Sequence, residues 1–271
     1  FNFTTNKKDY MTWEQIAQLH KDGFEIGNHT RDHLGLNEEN VDQLEEQLSA
    51  INQKCQEHGI PRPVSLAYPG NSFHASLLPL LQQQGIRFAR RGGAPEFPYD
   101  EGRGFAFQPG LDHPLLIPSA GDARPDWTME DFRRAIGQAQ LGKVAVLQFH
   151  GIPDGEHDWV SLGKDKFELF MRELARNDFT VIALRDLEEY LAPGMVPRDP
   201  LGAITDRQQA LAAGIGRENY RPPAGRRDAR YWVSVMQRHG YSPWEMRMAT
   251  GLEISQLEKL LPAGRSRVDS L

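Results

Sequence analysis

The sequence is short of cysteine, of long apolar runs and of positive charge, and each shortage excludes something. A single cysteine, Cys55, in 271 residues rules out an internal disulfide framework. It falls on the apolar stripe of a predicted helix, where a thiol is a packing group rather than a nucleophile. No apolar stretch approaches the roughly 20 residues needed to span a bilayer, so no membrane segment is expected. Phe1-Asn2-Phe3-Thr4 lacks the basic start, apolar stretch and cleavage site of a signal peptide. It also lacks an initiating Met, which leaves open whether the natural N-terminus lies upstream. Otherwise the composition is that of a soluble globular chain.

The net charge of −6 argues against a general nucleic-acid-binding surface, but it is unevenly spread. Residues 193–271 hold 12 Lys and Arg against 8 Asp and Glu, a net of +4, so the remainder carries −10. Two regions with different surface duties are expected: residues 1–192 and a linker with a small helical region over 193–271.

What the first region has is alternation. Phe1–Thr4 reads as a strand cut at its beginning. Thr12 and Gln15 form a capping-box helix start, and Gly23 is a natural stop. Glu25–Asn28 is a short strand. Asn37 can cap a helix whose Val41, Leu44, Leu48, Ile51 and Cys55 recur at helical steps. Val64–Tyr68 and Ile86–Ala89 read as strands around a helix over His74–Gln84, which Gly85 closes. Gly92 to Pro114 is too long for an ordinary connection and suggests a lid or rim loop. Leu115–Ile117 is a further strand, and Thr128 caps a helix carrying Phe132, Ala135, Ile136 and Ala139. Lys143–Phe149 is the clearest buried strand. A helix through Phe167–Leu174, a strand at Val181–Leu184 and a short helix through Tyr190 complete the series.

Repeated βα units imply a parallel sheet with helices outside it, because parallel strands need crossover connections. In such folds the chemistry gathers at the C-terminal ends of the strands. His29 follows the strand ending at Asn28, Tyr68-Pro69-Gly70 ends the next, and His150 directly follows Phe149. His29 and His33 stand four residues apart, a spacing that on a helical turn lets two imidazoles grip one metal ion.

Met11-Thr12-Trp13-Glu14-Gln15 and the run from Gly23 to His33 together resemble the second conserved block of the polysaccharide deacetylase (NodB-homology) superfamily. The resemblance implies that His29 and His33 are metal ligands. Ala67-Tyr68-Pro69-Gly70 is similar to the third block, which implies substrate contact by Tyr68 and Pro69 and an oxyanion held by the Tyr68 N–H. Asp126-Trp127 resembles the fourth, implying that Asp126 orients the catalytic histidine and Trp127 walls the acyl pocket. Leu147-Gln148-Phe149-His150 matches the fifth, with His150 as general acid and Leu147 beside the substrate. The four blocks stand in family order and cover roughly residues 1–192. They imply an α/β fold, a distorted (β/α) barrel, and metal-dependent removal of N-acetyl groups from a carbohydrate, with zinc as the ion.

Two departures qualify the resemblance. The family's first block, T-F-D-D, which supplies the catalytic base and the third metal ligand, is absent. Either that segment precedes Phe1, or the protein is a degenerate relative. Zinc prefers three protein ligands plus water, and Asp9 and Asp32 are the nearest substitutes. The arginine expected before the third block is also missing, since Ser65-Leu66-Ala67 precedes Tyr68. Two rival readings follow: hydrolysis of another non-peptide C–N bond, and an inactive carbohydrate-binding relative.

The loop after His150 brings His157 and Trp159 over the site as sugar contacts or as an exposed irregular loop. His74 could line the cleft or serve a helix cap. In the second region, helices around Thr250-Gly251-Leu252 resemble a helix-turn-helix near Arg221, Arg226, Arg227 and Arg230. The alternative is a helical cap packed on the barrel or at a subunit contact, so self-association stays open and nucleic acid is not the expected partner.

Overall fold

The computed structural model describes residues 8, 10–191, 194–212, 225–241, 243–252, 256, 257, 259 and 260. Phe1–Thr4 and Asp9 lie outside them, as does Arg221. The chain divides into two compact units, Phe1–Ile204 and Thr205–Leu271.

Local signals set the helices of the first unit. The Thr12 hydroxyl accepts from the Gln15 N–H while the Gln15 side chain accepts from the Thr12 N–H, so α1 begins at Trp13 and runs to Lys21 (Trp13–Lys21). Asn37 caps a 3₁₀ turn that leads into α2 (Leu44–Glu57). A 3₁₀ turn capped by the His74 ring precedes α3 (Leu78–Gln83). That ring accepts from the Ser76 N–H, which settles His74 as a capping residue. Thr128 caps α4 (Met129–Ile136), and α5 (Lys164–Arg176) follows after Gly163. The short helix through Tyr190 is 3₁₀ over Leu184–Tyr190.

Strands are shorter than the sequence suggests: β1 (Ser65–Ala67), β2 (Phe88–Arg90), β3 (Gly121–Asp122) and β4 (Leu147–Gln148). β1 pairs with β2 and β3 with β4, both in parallel. Isolated parallel bridges, Asn28 to Leu66 and Arg90 to Ile117, extend the array. Successive segments therefore lie side by side in chain order, with their C-terminal ends on one edge. A closed barrel is not drawn by these ladders, which form two two-stranded sheets plus bridges. Pro63, Pro69, Pro114 and Pro118 flank the segments, and proline cannot donate to a ladder.

Alternation along each segment sorts side chains to two faces. Leu66 and Ala89 pack with Leu44, Leu48, Leu77, Leu78 and Leu81 under α2 and α3. Phe88 turns the other way, into a cluster with Phe107, Ile117 and Leu187, against which Val144, Val146, Ile182 and Leu184 pack. α4 and α5 bury Trp127, Phe132, Phe170 and Leu174 together, with the Phe132 and Phe170 rings stacked at 4.3 Å. Cys55 is fully buried with Trp13, Ala17 and Ile51, and burial pushes its thiol up to about 11, as a core thiol requires.

The expected lid over Gly92–Pro114 is instead part of the body of the unit. Phe107 is fully buried and bridges Val144, and Arg103 bridges Gly121. The fully buried Arg91 and Glu96 form a two-pronged ion pair at 2.8 and 2.6 Å. Such a segment cannot open without exposing Phe107 and an ion pair.

In the second unit, α6 (Gly202–Ala212) begins just before the division, and α7 (Arg226–Arg238) and α8 (Pro243–Thr250) bury Val233, Met246 and Leu257 together. Of the helix expected over Ser255–Leu261, Ser255, Glu258 and Leu261 lie outside the described residues.

Candidate active site

His29 is positioned by backbone at the edge of the array. The Asn28 N–H donates to Ser65 O at 2.8 Å and the Ala67 N–H to Asn28 O at 3.0 Å. The buried Asn28 side chain then clamps the turn: its Oδ1 accepts from the Thr30 N–H at 2.9 Å and its Nδ2 donates to Leu48 O at 3.1 Å. Gly27 is required by close approach, since a Cβ there would lie 2.8 Å from Ser65 Oγ.

The histidine pair does not sit on a helical turn, which corrects the reason given for its spacing. Thr30 and His33 both adopt left-handed backbone, with φ of 62° and 57°. Two such residues fold the loop back on itself, and the rings meet edge to face with centroids 5.0 Å apart.

Both imidazoles are biased towards the neutral form, and that of His29 is also fixed in tautomer. His29 Nδ1 lies 2.7 Å from the Ala67 carbonyl, which can only accept, so the proton is on Nδ1 and Nε2 carries the lone pair. Burial pushes the His29 pKa down to about 4, and the nearby charges of Arg90 and His33 add to this against the Ala67 contact. Burial also lowers His33, helped by the cationic forms of His157 and His150 across the cleft. Neutral imidazole of fixed tautomer is the expected state of a metal ligand.

Asp32 does not join them: it is exposed and its Oδ2 is taken by Arg31 at 2.6 Å and Gln47 at 2.9 Å. Asp9 lies outside the described residues. Among the described residues, no group of three or more His, Cys, Asp or Glu is arranged to hold a metal ion. The pair therefore fits two positions of a metal site.

Across the edge stands His150. Its Nε2 lies 3.1 Å from Asp122 Oδ1, so the aspartate that meets this imidazole is Asp122 rather than Asp126. The parallel register sets Asp122 opposite Gln148, two residues before His150. Asp126 is exposed in the turn closed by the Trp127 N–H on Arg124 O at 3.0 Å. Asp122 is buried, and its Oδ2 accepts from Arg124 at 2.9 Å, which leaves Oδ1 for the imidazole. Gln148 Nε2 approaches the same imidazole nitrogen at 3.1 Å, so a carboxylate and an amide compete for it. The Gln148 amide is oriented because its Oε1 accepts from Arg90 Nη1 at 2.5 Å and from Ser119 Oγ at 3.2 Å.

Four further residues are placed differently from expectation. The Tyr68 N–H donates to Arg90 O at 3.0 Å within the sheet, so it is committed before any oxyanion arrives. The Tyr68 ring is buried beneath the edge with its hydroxyl on Leu115 O at 2.8 Å, and Pro69 is buried beside it. Trp127 is enclosed with Phe132 and Phe170 rather than walling an open pocket, and Leu147 packs against the same cluster. Reasoning from the chain alone passed over Asp122 and Arg90. Asp122 carried one usable signal, an acid ending the small-residue run Ser119-Ala120-Gly121, where a strand ends.

In the loop after His150, His157 lies near enough to His33 for its charge to act on that ring, with its Nδ1 3.1 Å from Asp154 and its ring edge-on to Trp159 at 5.1 Å. The loop is tied to the first part of the chain by the Tyr10 hydroxyl, which donates to Glu156 at 2.6 Å.

The family model described as polysaccharide deacetylase matches residues 1–89, a span holding His29, His33 and Tyr68 but not Asp122 or His150. No curated protein matches the chain. No helix among the described residues is long and apolar enough to cross a membrane.

Proposed function

We propose, with support from the match of residues 1–89 to the polysaccharide deacetylase family model, that the chain is a metal-dependent hydrolase of N-acetyl groups on a polysaccharide or oligosaccharide. One observation carries the reading: two imidazoles held neutral and a carboxylate-oriented imidazole face one another at the strand ends.

His29 through Nε2 and His33 would hold a divalent ion, zinc by ligand type. Such an ion polarises an acetyl carbonyl and lowers the pKa of water towards neutrality. Water oxygen bonds to the carbonyl carbon and releases a proton to bulk solvent, the C–N bond breaks with its electron pair on nitrogen, and the amine takes a proton. His150 supplies that proton from Nδ1, while its Nε2–H donates to Asp122 and fixes the ring. The products are acetate and a free amino sugar.

The experiment pairs metal analysis with amine release from an N-acetylglucosamine oligomer. Bound metal and release that both vanish on adding a chelator are the expected result. Release that persists in His150→Ala at the unaltered rate overturns the acid role. A second reading, an inactive carbohydrate-binding relative, draws on the absence of a third ligand among the described residues. Oligomer binding without metal or amine release would select it. Release from a small cyclic amide but not from the oligomer would select a different C–N substrate.

A further inference from the structure

Two adjacent arginines at the end of β2 meet opposite fates. Arg91 points to the outer face and is neutralised by Glu96 through two hydrogen bonds. Arg90 points the same way as Phe88, two residues earlier, and so towards the interior that Val146 and Gln148 also face. There Arg90 Nη1 donates to Asn71 Oδ1 at 3.0 Å and to Gln148 Oε1 at 2.5 Å, both neutral acceptors. Among the described residues no carboxylate lies within salt-bridge distance of it, whereas the other cation at this edge, Arg124, is paired with Asp122. The remaining guanidinium nitrogens, Nε and Nη2, have no hydrogen-bond partner in the described structure.

The position of this charge is central. It is near enough to His29 to oppose protonation of that ring, and Gln148 alone separates it from His150. Burial pushes its pKa down to about 10, so the group is a cation throughout the neutral range. The charge of Asp122 reaches it from beyond ion-pair distance and partly offsets that fall, so Nε and Nη2 keep their donors for a carboxylate or an oxyanion, whose shape the planar fork matches. The reaction generates both. The backbone donor expected for this duty, the Tyr68 N–H, is spent on the carbonyl of Arg90 itself.

We propose that Arg90 is the anion-binding donor of the site, holding the carbonyl oxygen as it gains charge and then the acetate that leaves. The transition-state half of this rests on the deacetylase reading, while the acetate half stands on the geometry alone. Charge that develops on oxygen during attack is met by Nε–H and Nη2–H, and no proton needs to leave the guanidinium. Asn71 and Gln148 serve as positioning residues that hold Nη1 and thereby aim the other face of the fork.

The test measures acetate affinity and turnover on the same preparations: the full chain, Arg90→Lys and Arg90→Gln. Acetate affinity is expected to fall at least about tenfold in Arg90→Gln, with Arg90→Lys between, both with and without added zinc. On an N-acetylglucosamine oligomer, kcat should fall by about 10²- to 10³-fold with KM nearly unchanged, the signature of a transition-state donor. Equal acetate affinity in all three proteins overturns the proposal whatever the turnover shows. Arg90-dependent acetate binding without any amine release upholds the anion site and overturns the deacetylase reading instead. Should the variants fail to fold, the Arg90 Nε–H resonance of the unaltered protein decides. A shift on titration with acetate supports the assignment, and an unmoved resonance at saturating acetate removes it.

Discussion

Around His29 and His33 the backbone does the positioning: a clamped Asn28, a close-packed Gly27 and two left-handed residues fold a short loop. Around His150 side chains do it, through Asp122, Gln148, Ser119 and Arg90 drawn from three segments. The first half shields His29 from water and pushes its pKa down to about 4, while His33 beside it stays exposed. The second is rich in charge, with a carboxylate shared between an arginine and an imidazole. Metal binding needs neutral donors and proton transfer needs a group that can hold either charge state, so the two environments suit different steps.

The comparison breaks most sharply if the halves are removed one at a time. His29→Ala and His33→Ala are expected to lose bound metal and to reduce amine release to background. His150→Ala is expected to keep its metal and lose about 10²- to 10⁴-fold in kcat. Metal content and turnover on the same preparations check this. A His150→Ala protein that also loses metal would show that the halves are not separable.

A second pair of variants tests the side-chain half alone. Asp122→Asn should cost about 10²- to 10⁴-fold in kcat, because an amide can neither fix the imidazole tautomer nor support its charged form. Asp126→Asn should leave kcat within about twofold, as exposed substitutions away from a site usually do. Reversal of that order would restore Asp126 to the role its neighbour Trp127 suggested.

How much of this was legible beforehand follows the range of the interactions. The caps at Thr12, Asn37 and Thr128 were readable because donor and acceptor lie within three residues of each other. Strand lengths were not, because pairing partners are distant in sequence and prolines clip the ladders. His29 and His33 were singled out by a spacing that suits a helix, yet the rings meet through left-handed turns that sequence spacing does not reveal. Asp122 depends on a register between residues 121 and 148, and Arg90 on which face of β2 it takes. In the sequence it stands beside Arg87 and Arg91, with nothing local to distinguish it. Only the sheet separates the paired arginine from the unpaired one.

The first half also makes a statement about pH. A histidine with folded pKa near 4 binds fewer protons when folded than when unfolded, so its contribution to stability is intact above about 6.5. That contribution is lost as pH falls from about 6.5 towards 4, where the unfolded chain takes up the proton first. Metal-free protein should therefore lose stability over that window, and His29→Asn should flatten the slope there. Denaturant midpoints at a series of pH values check it. An unchanged slope in His29→Asn would mean that the ring is not dehydrated.

The smallest expected effect concerns the exposed loop that follows His150. Trp159 is 60% exposed and braced only along one edge by His157, which itself hydrogen-bonds Asp154. An exposed indole costs free energy in water unless something covers it, and a pyranose face is a suitable cover. Its contribution would be additional binding of neighbouring sugar units, not chemistry at the acetyl group. Trp159→Ala should therefore raise KM for an oligomer about two- to tenfold, as the loss of roughly 0.5–1.5 kcal/mol of ring contact implies. For a single N-acetylated sugar, which cannot reach beyond the histidines, KM should stay the same. Steady-state kinetics on both substrates separate the outcomes: equal KM shifts would place Trp159 in the acetyl site itself, and no shift on either would leave the loop an exposed tether between Tyr10 and the strand end at His150.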